Sequence, residues 1–253
     1  MPIAITRAVS TALADCELSF VDRSPIDVSR ARAQHDGYVQ ALRSLGCEVI
    51  ELPAQDALPD SVFVEDVAIV VDEVAVMTRP GAASRRAEGE SVAPVLARYR
   101  ELRRIEAPGT LDGGDVLRIG RDVYVGASAR SNAEGIAQLR AALAPFGYRV
   151  QAVATRECLH LKSAVTQVAE DTVLINPDWL EDGAFARYRQ IQIDPVEAHA
   201  ANALRIGAGL VYPDCFPRTL ARLREAGIAV TVVDVSELQK AEGAVTCCSL
   251  VFA

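Results

Sequence analysis

Asp115-Val116-Leu117-Arg118-Ile119, a polar turn at Gly120-Arg121-Asp122 and Val123-Tyr124-Val125 read as two short β-rich runs folded back on each other. The pattern recurs as Asp66-Val67-Ala68-Ile69-Val70 with Val74-Ala75-Val76 around Asp72-Glu73, and as Ala164-Val165-Thr166-Gln167-Val168 with Thr172-Val173-Leu174 around Glu170-Asp171. The copies start at 66, 115 and 164, a spacing of 49 residues twice over. A fourth copy, Ala203 to Gly207 with Leu210-Val211-Tyr212, comes early.

Between hairpins an amphipathic helix ends near a glycine and runs into a strand. This occurs at Tyr38 to Leu45, Gly46, Cys47 to Leu52; at Ile136 to Phe146, Gly147, Tyr148 to Val153; and at Leu220 to Ala226, Gly227, Ile228 to Val233. Glycine just past a helix supplies the left-handed residue that ends it. Ser91 to Leu102 reads as the corresponding helix without its glycine. The unit is therefore hairpin, helix, strand, and no unit can bury its own apolar faces. Radial repetition around an axis follows. An open doubly wound sheet would instead alternate single strands with helices and open on a glycine-rich turn; no G-x-G-x-x-G occurs.

Composition narrows the function classes. The 253 residues carry a net charge of −8, which disfavours a chain that coats nucleic acid with Lys and Arg. Half of the residues are hydrophobic and the glycines and prolines are scattered, so a packed globular chain is expected, read as a single domain over 1–253. There is no uncharged apolar run long enough to cross a membrane, and the sequence from Met1 to Val9 lacks the apolar segment of a signal peptide; a cytoplasmic protein is expected. The six cysteines show no regular spacing and should stay reduced, and neither CxxC nor HExxH is present, so no metal is indicated.

In a closed ring of repeats, equivalent positions of successive units lie close together. The hairpin entrances are chemically loaded: Asp60 with Phe63-Val64-Glu65-Asp66, then Leu111-Asp112-Gly113-Gly114-Asp115, then His160-Leu161-Lys162-Ser163, and finally Thr246-Cys247-Cys248-Ser249. A thiol, an imidazole and several carboxylates are thus collected at one end of the axis, a set suited to nucleophilic attack with general acid/base help on a cation. The neighbouring Cys248 is expected to pack in the core on the opposite face of a strand, His35 to be structural or at the surface, and His199 has no motif. The Gly113-Gly114 pair is a tight turn, a close backbone approach, or both.

These stretches, together with Arg79-Pro80-Gly81 and Ser84-Arg85-Arg86, resemble the dimethylarginine dimethylaminohydrolases over essentially the whole chain. The resemblance implies the five-bladed α/β-propeller (pentein) fold built from ββαβ repeats, and hydrolysis of N-ω-methylated L-arginine to L-citrulline and methylamine or dimethylamine. It implies Cys247 as nucleophile, His160 as acid/base and Asp112 as the group that orients the imidazole. Asp66 and Glu65 would hold the guanidinium, Asp60 the α-amino group, and Arg85 and Arg130 the α-carboxylate. The carbonyl of Ala241 would accept a substrate N–H, and Leu18 would ride on a mobile loop over the pocket. Arg86, beside Arg85, leaves open which of the two faces the ligand. No metal or organic cofactor is called for; the partner is a small cationic amino acid, with no nucleic acid or membrane, and a homodimer fits this reading. The alternatives are another guanidino or ureido hydrolase, such as an arginine deiminase or citrulline hydrolase, and a non-catalytic propeller that serves as a binding module.

Overall fold

In a computed structural model, which describes residues 1–253, the strands form five three-stranded sheets. The chain opens with β1 (Ile3–Arg7), α1 (Val28–Ser44) and β2 (Glu48–Leu52). A first complete unit follows as β3 (Ala68–Val70), β4 (Val74–Met77), α2 (Ala93–Leu96) and β5 (Glu101–Arg104). The second comprises β6 (Val116–Ile119), β7 (Asp122–Ala127), α3 (Ala133–Leu143) and β8 (Arg149–Ala154). The one-turn helix α4 (Leu161–Ala164) introduces the third, β9 (Val165–Ala169), β10 (Thr172–Ile175) and β11 (Arg189–Gln192). The fourth is β12 (Leu204–Ile206), β13 (Gly209–Pro213), α5 (Pro217–Glu225) and β14 (Ala229–Val233), after which come the short helix α6 (Ser236–Gln239) and β15 (Leu250–Phe252).

Every sheet repeats one pattern: an antiparallel pair, then a third strand parallel to the middle one. The fifth sheet takes its pair from the two ends of the chain. Here β15 runs antiparallel to β1, with Ile3 opposite Phe252 and Ile5 opposite Leu250, and β1 runs parallel to β2. The ring is closed, and the fold is a five-bladed α/β-propeller of the pentein type.

Burial follows position in the blade. The middle strands β4 and β10 are buried at every residue, as continuous apolar runs covered on both faces should be. The third strands lie outermost and alternate or turn charged; β5 is Glu-Leu-Arg-Arg with its ends exposed, which discourages edge-to-edge pairing. The first strands of neighbouring blades contact one another around the axis, as β15 does β3 and β9 does both β6 and β12. Gly46, Gly147 and Gly227 all have positive φ, so the expected helix stops form as read.

Two expectations change in detail. Ser91 to Leu102 is not one helix: a 3-10 turn at Glu88–Ser91 and α2 supply a single compact crossover with Pro94 in its first turn, and Glu101 onward already pairs with β4. The third blade has no α-helical crossover at all, only a 3-10 turn at Pro177–Trp179 and an irregular loop. No helix is long and apolar enough to cross a membrane.

Candidate active site

The entrances to three blades are single helical turns: Val64–Val67, Gly113–Asp115 and α4. The residues that precede them, Phe63, Asp112 and His160, therefore come to equivalent places at one end of the axis. Close backbone contact between entrances is what glycine permits here. A Cβ at Gly113 would lie 1.9 Å from the carbonyl oxygen of Glu65, and one at Gly114 would lie 2.4 Å from His160 Nδ1. Neither glycine has positive φ, so the pair serves close approach and not a left-handed turn. The last entrance joins the first by a hydrogen bond from Glu65 N–H to the Cys247 carbonyl at 3.1 Å.

A small cavity lies at this point, about 20 Å³ in volume, walled by Asp60, Arg85, Arg130, His160, Ala241 and Cys247 among others. His160 is buried and shares a 3.1 Å hydrogen bond between Nε2 and Asp112 Oδ2. The other oxygen of Asp112 accepts the Gly81 N–H at 2.8 Å, which fixes the carboxylate. Gly81 can do this because the backbone of Arg130 passes where its Cβ would be, 2.6 Å away. His160 Nδ1 stands 4.0 Å from Asp66 Oδ1. Burial works against the imidazolium, but Asp66, the Asp112 hydrogen bond and Asp115 outweigh it and raise His160 to about 9. It is therefore cationic at neutral pH.

Cys247 is half-buried and faces the opposite balance. Burial, and then the charges of Glu65 and Asp66, push its thiol up to about 12. The site thus holds a neutral thiol and an imidazolium on one cavity wall. Asp66 accepts from Gly114 N–H at 2.9 Å and from Arg85 at 2.6 Å; although burial raises its pKa, Arg85 and His160 hold it below the usual carboxylate range. Glu65 receives Lys162 Nζ and the Thr246 hydroxyl, and these three line the larger space among the first strands of the blades.

Arg85, not Arg86, faces the cavity; Arg86 is exposed and donates to the Pro80 carbonyl. Arg85 is nonetheless heavily committed. It forks onto Glu88 through Nε at 3.0 Å and Nη2 at 2.8 Å, reaches Asp66 through Nη1, and points Nη2 at the Asp60 and Phe63 carbonyls. One Nη1 hydrogen remains for a ligand. The Arg130 guanidinium makes one hydrogen bond, to the Ser19 hydroxyl at 2.8 Å, and is the freer of the two. Asp60 accepts the Glu17 N–H at 3.1 Å, and Leu18 follows on a segment that packs on the same apolar cluster as Cys247.

Sequence reading missed Glu88, Lys162 and Glu242. Nothing local marks Glu88; its buried carboxyl, raised to about 7 by burial against the pull of Arg85, acts only through that arginine. Cys248 is fully buried as expected, but in a turn that precedes β15, so strand alternation is not the reason. His35 is buried in α1, and His199 packs edge-on against Trp179 with ring centres 5.0 Å apart. Asp66, Asp112 and His160 present ligand atoms within 4.8 Å of one another, the one grouping able to hold a metal. The Arg85 cation on Asp66 and the Gly81 and Gly114 N–H bonds already use those carboxylates, so the trio fits an imidazole clamped between carboxylates better than a metal.

A profile of the eukaryotic N,N-dimethylarginine dimethylhydrolase family matches residues 16–199. The chain belongs to the dimethylarginine dimethylaminohydrolase family. It is 42% identical to the N(G),N(G)-dimethylarginine dimethylaminohydrolase of Streptomyces coelicolor over 98% of this chain and 95% of that one. Identity to the enzyme of that name from Pseudomonas aeruginosa is 36%, covering 89% and 90% of the two chains. The solved structure of a cysteine-to-serine mutant of the Pseudomonas aeruginosa protein, complexed with citrulline, superposes with a TM-score of 0.95 at 34% identity over 98% of each chain. The N-terminal domain of the cyanobacterial arginine dihydrolase ArgZ shares the fold, with a TM-score of 0.88 at 18% identity, covering 99% of this chain and 98% of that one.

Proposed function

We propose that this dimethylarginine dimethylaminohydrolase family member hydrolyses N-ω-methylated L-arginine to L-citrulline and methylamine or dimethylamine through a covalent intermediate on Cys247. The observation that carries the reading is the meeting of Cys247, His160 and Asp60 on one small cavity, with Asp66 4.0 Å from His160 Nδ1 and Asp112 bonded to its Nε2. Its relatives carry the name of that activity.

The geometry assigns the steps. The substrate guanidinium approaches Asp66, in competition with the Arg85 contact, and its planar fork of N–H donors fixes the plane that sulfur attacks. The arriving cation favours ionisation of the Cys247 thiol, whose proton passes to solvent as substrate binds. Sulfur adds to the guanidinium carbon. His160 already carries a proton; Asp112 holds Nε2, and Nδ1 has no protein hydrogen-bond partner, so Nδ1 is the nitrogen that delivers it to the departing amine. An S-alkylthiouronium remains. The imidazole, now neutral, takes a proton from water as the oxygen attacks the same carbon, and collapse expels the Cys247 thiolate and releases citrulline.

Arg130 takes the α-carboxylate, with a single N–H from Arg85 beside it, and Asp60 takes the α-ammonium. Both are engaged by the covering segment, Arg130 by Ser19 and Asp60 by Glu17, contacts that substrate replaces. The segment around Leu18 swings away to admit the amino acid and then closes on its aliphatic chain, while the Ala241 carbonyl, in the wall of the small cavity, accepts a substrate N–H. The enzyme is cytoplasmic in this reading, works on a free amino acid and is compatible with a homodimer.

The test is Cys247→Ser, expected to abolish turnover while leaving citrulline binding within a few-fold. Near-native turnover would exclude covalent catalysis. Side-by-side assay of methylarginines, arginine, agmatine and citrulline separates the rivals of the same class, and faster ammonia release from arginine than amine release from methylarginines would favour an arginine deiminase. Labelling by a thiol-reactive haloamidine anywhere other than Cys247, unaffected by substrate, would favour a binding module.

A further inference from the structure

Glu242 has φ of +58°, and with Glu157 it is one of only two non-glycine residues in the left-handed region. It follows the end of α6, where Glu242 N–H bonds the Gln239 carbonyl and Gly243 N–H the Leu238 carbonyl, both at 3.0 Å. This is a helix-stop position that glycine fills without strain. A glutamate there needs a compensating use for its side chain.

The use is visible. The carboxylate receives three successive backbone N–H groups of the covering segment: Ser19 at 2.9 and 3.0 Å, Val21 at 2.9 Å, and Phe20 between them. Consecutive N–H groups converging on one anion form a nest, and charge-assisted bonds of this kind are the stronger ones. Arg23 clips the segment to itself through the Ala14 and Cys16 carbonyls, and the remaining ties to the body of the protein from Glu17 to Ser19 are those to Asp60, Arg130 and Ser84, of which the first two are the groups that substrate claims. Glu242, which holds three backbone N–H groups, and the single Ser84 contact to Glu17 are therefore the ties that survive when substrate binds. Its backbone cannot drift away: Ala241 precedes it in the cavity wall, and a Cβ on the following Gly243 would strike the Phe63 ring at 2.1 Å.

We propose that Glu242 is a positioning residue for the reaction, a carboxylate latch that catches the N–H groups of Ser19, Phe20 and Val21 and closes Leu18 over the bound amino acid. The substrate contact at the Ala241 carbonyl and the closure of the loop are thereby joined through adjacent residues. The kinetic part of this inference rests on the function proposed above; the latch itself does not.

Three variants test it. Glu242→Gly removes both the carboxylate and the backbone strain, Glu242→Ala removes the carboxylate alone, and Glu242→Gln keeps one acceptor oxygen without charge. Trypsin cleavage after Arg23, which lies exposed on the same segment, reports opening with no substrate present. Loss of a charge-assisted bond corresponds to about a tenfold change, so the Gly and Ala variants should be cut about tenfold faster than wild type, with Gln between. With N-ω,N-ω-dimethylarginine they should lose kcat/KM by a similar factor, carried by KM, and citrulline should slow their cleavage less than it slows that of wild type. Thermal unfolding of Glu242→Gly should occur no lower than wild type. A Gly variant with wild-type tryptic rate and wild-type KM would reduce Glu242 to a helix terminator and overturn the proposal. Should the wild type fail to act on methylarginines, the proposed reaction falls, while the cleavage rates of the unliganded proteins still decide the latch.

Discussion

A cationic alkylating reagent should find Cys247 far more reactive than a neutral one does. Burial and the Glu65 and Asp66 carboxylates hold the thiol at about 12, so at neutral pH an uncharged reagent meets almost no thiolate. A haloamidine brings a positive charge to the place where the guanidinium binds. At about 4 Å from sulfur and an effective dielectric of about 20, that charge is worth about 4 kcal/mol, or roughly three pKa units, which takes the thiol to roughly 9. The thiolate fraction then rises about 10³-fold. The more acidic thiolate is also a weaker nucleophile, by about 10^1.3 for three units, so the net gain is roughly 50-fold. The assay is competition between 2-chloroacetamidine and iodoacetamide, with the rate at each cysteine read by peptide mass. Exposed Cys215, beside Gln239 and away from the carboxylate cradle, is the internal reference. The preference for the cation should be roughly 50-fold greater at Cys247 than at Cys215. Equal preferences at the two cysteines would refute the idea that the substrate's own charge ionises the nucleophile.

Other outcomes follow from the same geometry. Gly114→Ala places a methyl 2.4 Å from His160 Nδ1 and should lower kcat about 10²-fold by displacing the imidazole, whereas an unchanged kcat would mean that its position is not critical. The two arginines should separate by readout. Arg130→Ala raises KM with little loss of stability, while Arg85→Ala leaves Asp66 and Glu88 buried without their cation and costs about 3 to 5 kcal/mol in urea unfolding; the reverse pattern would contradict these assignments. His160 is held at about 9, above its usual 6.5. Its imidazolium therefore adds about 3 kcal/mol that is fully present below pH about 6.5 and lost as pH rises through about 9. The Tm gap between wild type and His160→Gln should narrow between those limits, and a constant gap would contradict the assigned charge.

The sequence discloses the ring because each hairpin is local, and because Gly46, Gly147 and Gly227 punctuate three of the four helix-to-strand crossovers with a residue whose role needs no tertiary context. Once the ring is granted, Asp112 and His160 meet by position alone. The residues that escaped notice act across blades. Glu88 matters only through Arg85, Lys162 only through its ion pair with Glu65, and Glu242 only because a segment more than 200 residues earlier folds onto it. The crossover near Ser91 differs from the expected helix because no glycine marks its end and pairing of β5 with β4 claims the chain from Glu101 onward. Neighbour contacts of this kind leave no periodic trace.

The central claim, carbon–sulfur bond formation at Cys247, is open to direct measurement. Enzyme mixed with N-ω,N-ω-dimethylarginine, acid-quenched during turnover and digested, should yield the Cys247 peptide heavier by the substrate less dimethylamine, and no other cysteine peptide should change. Citrulline formed at the full rate with the Cys247 peptide unmodified at every quench time would contradict the account.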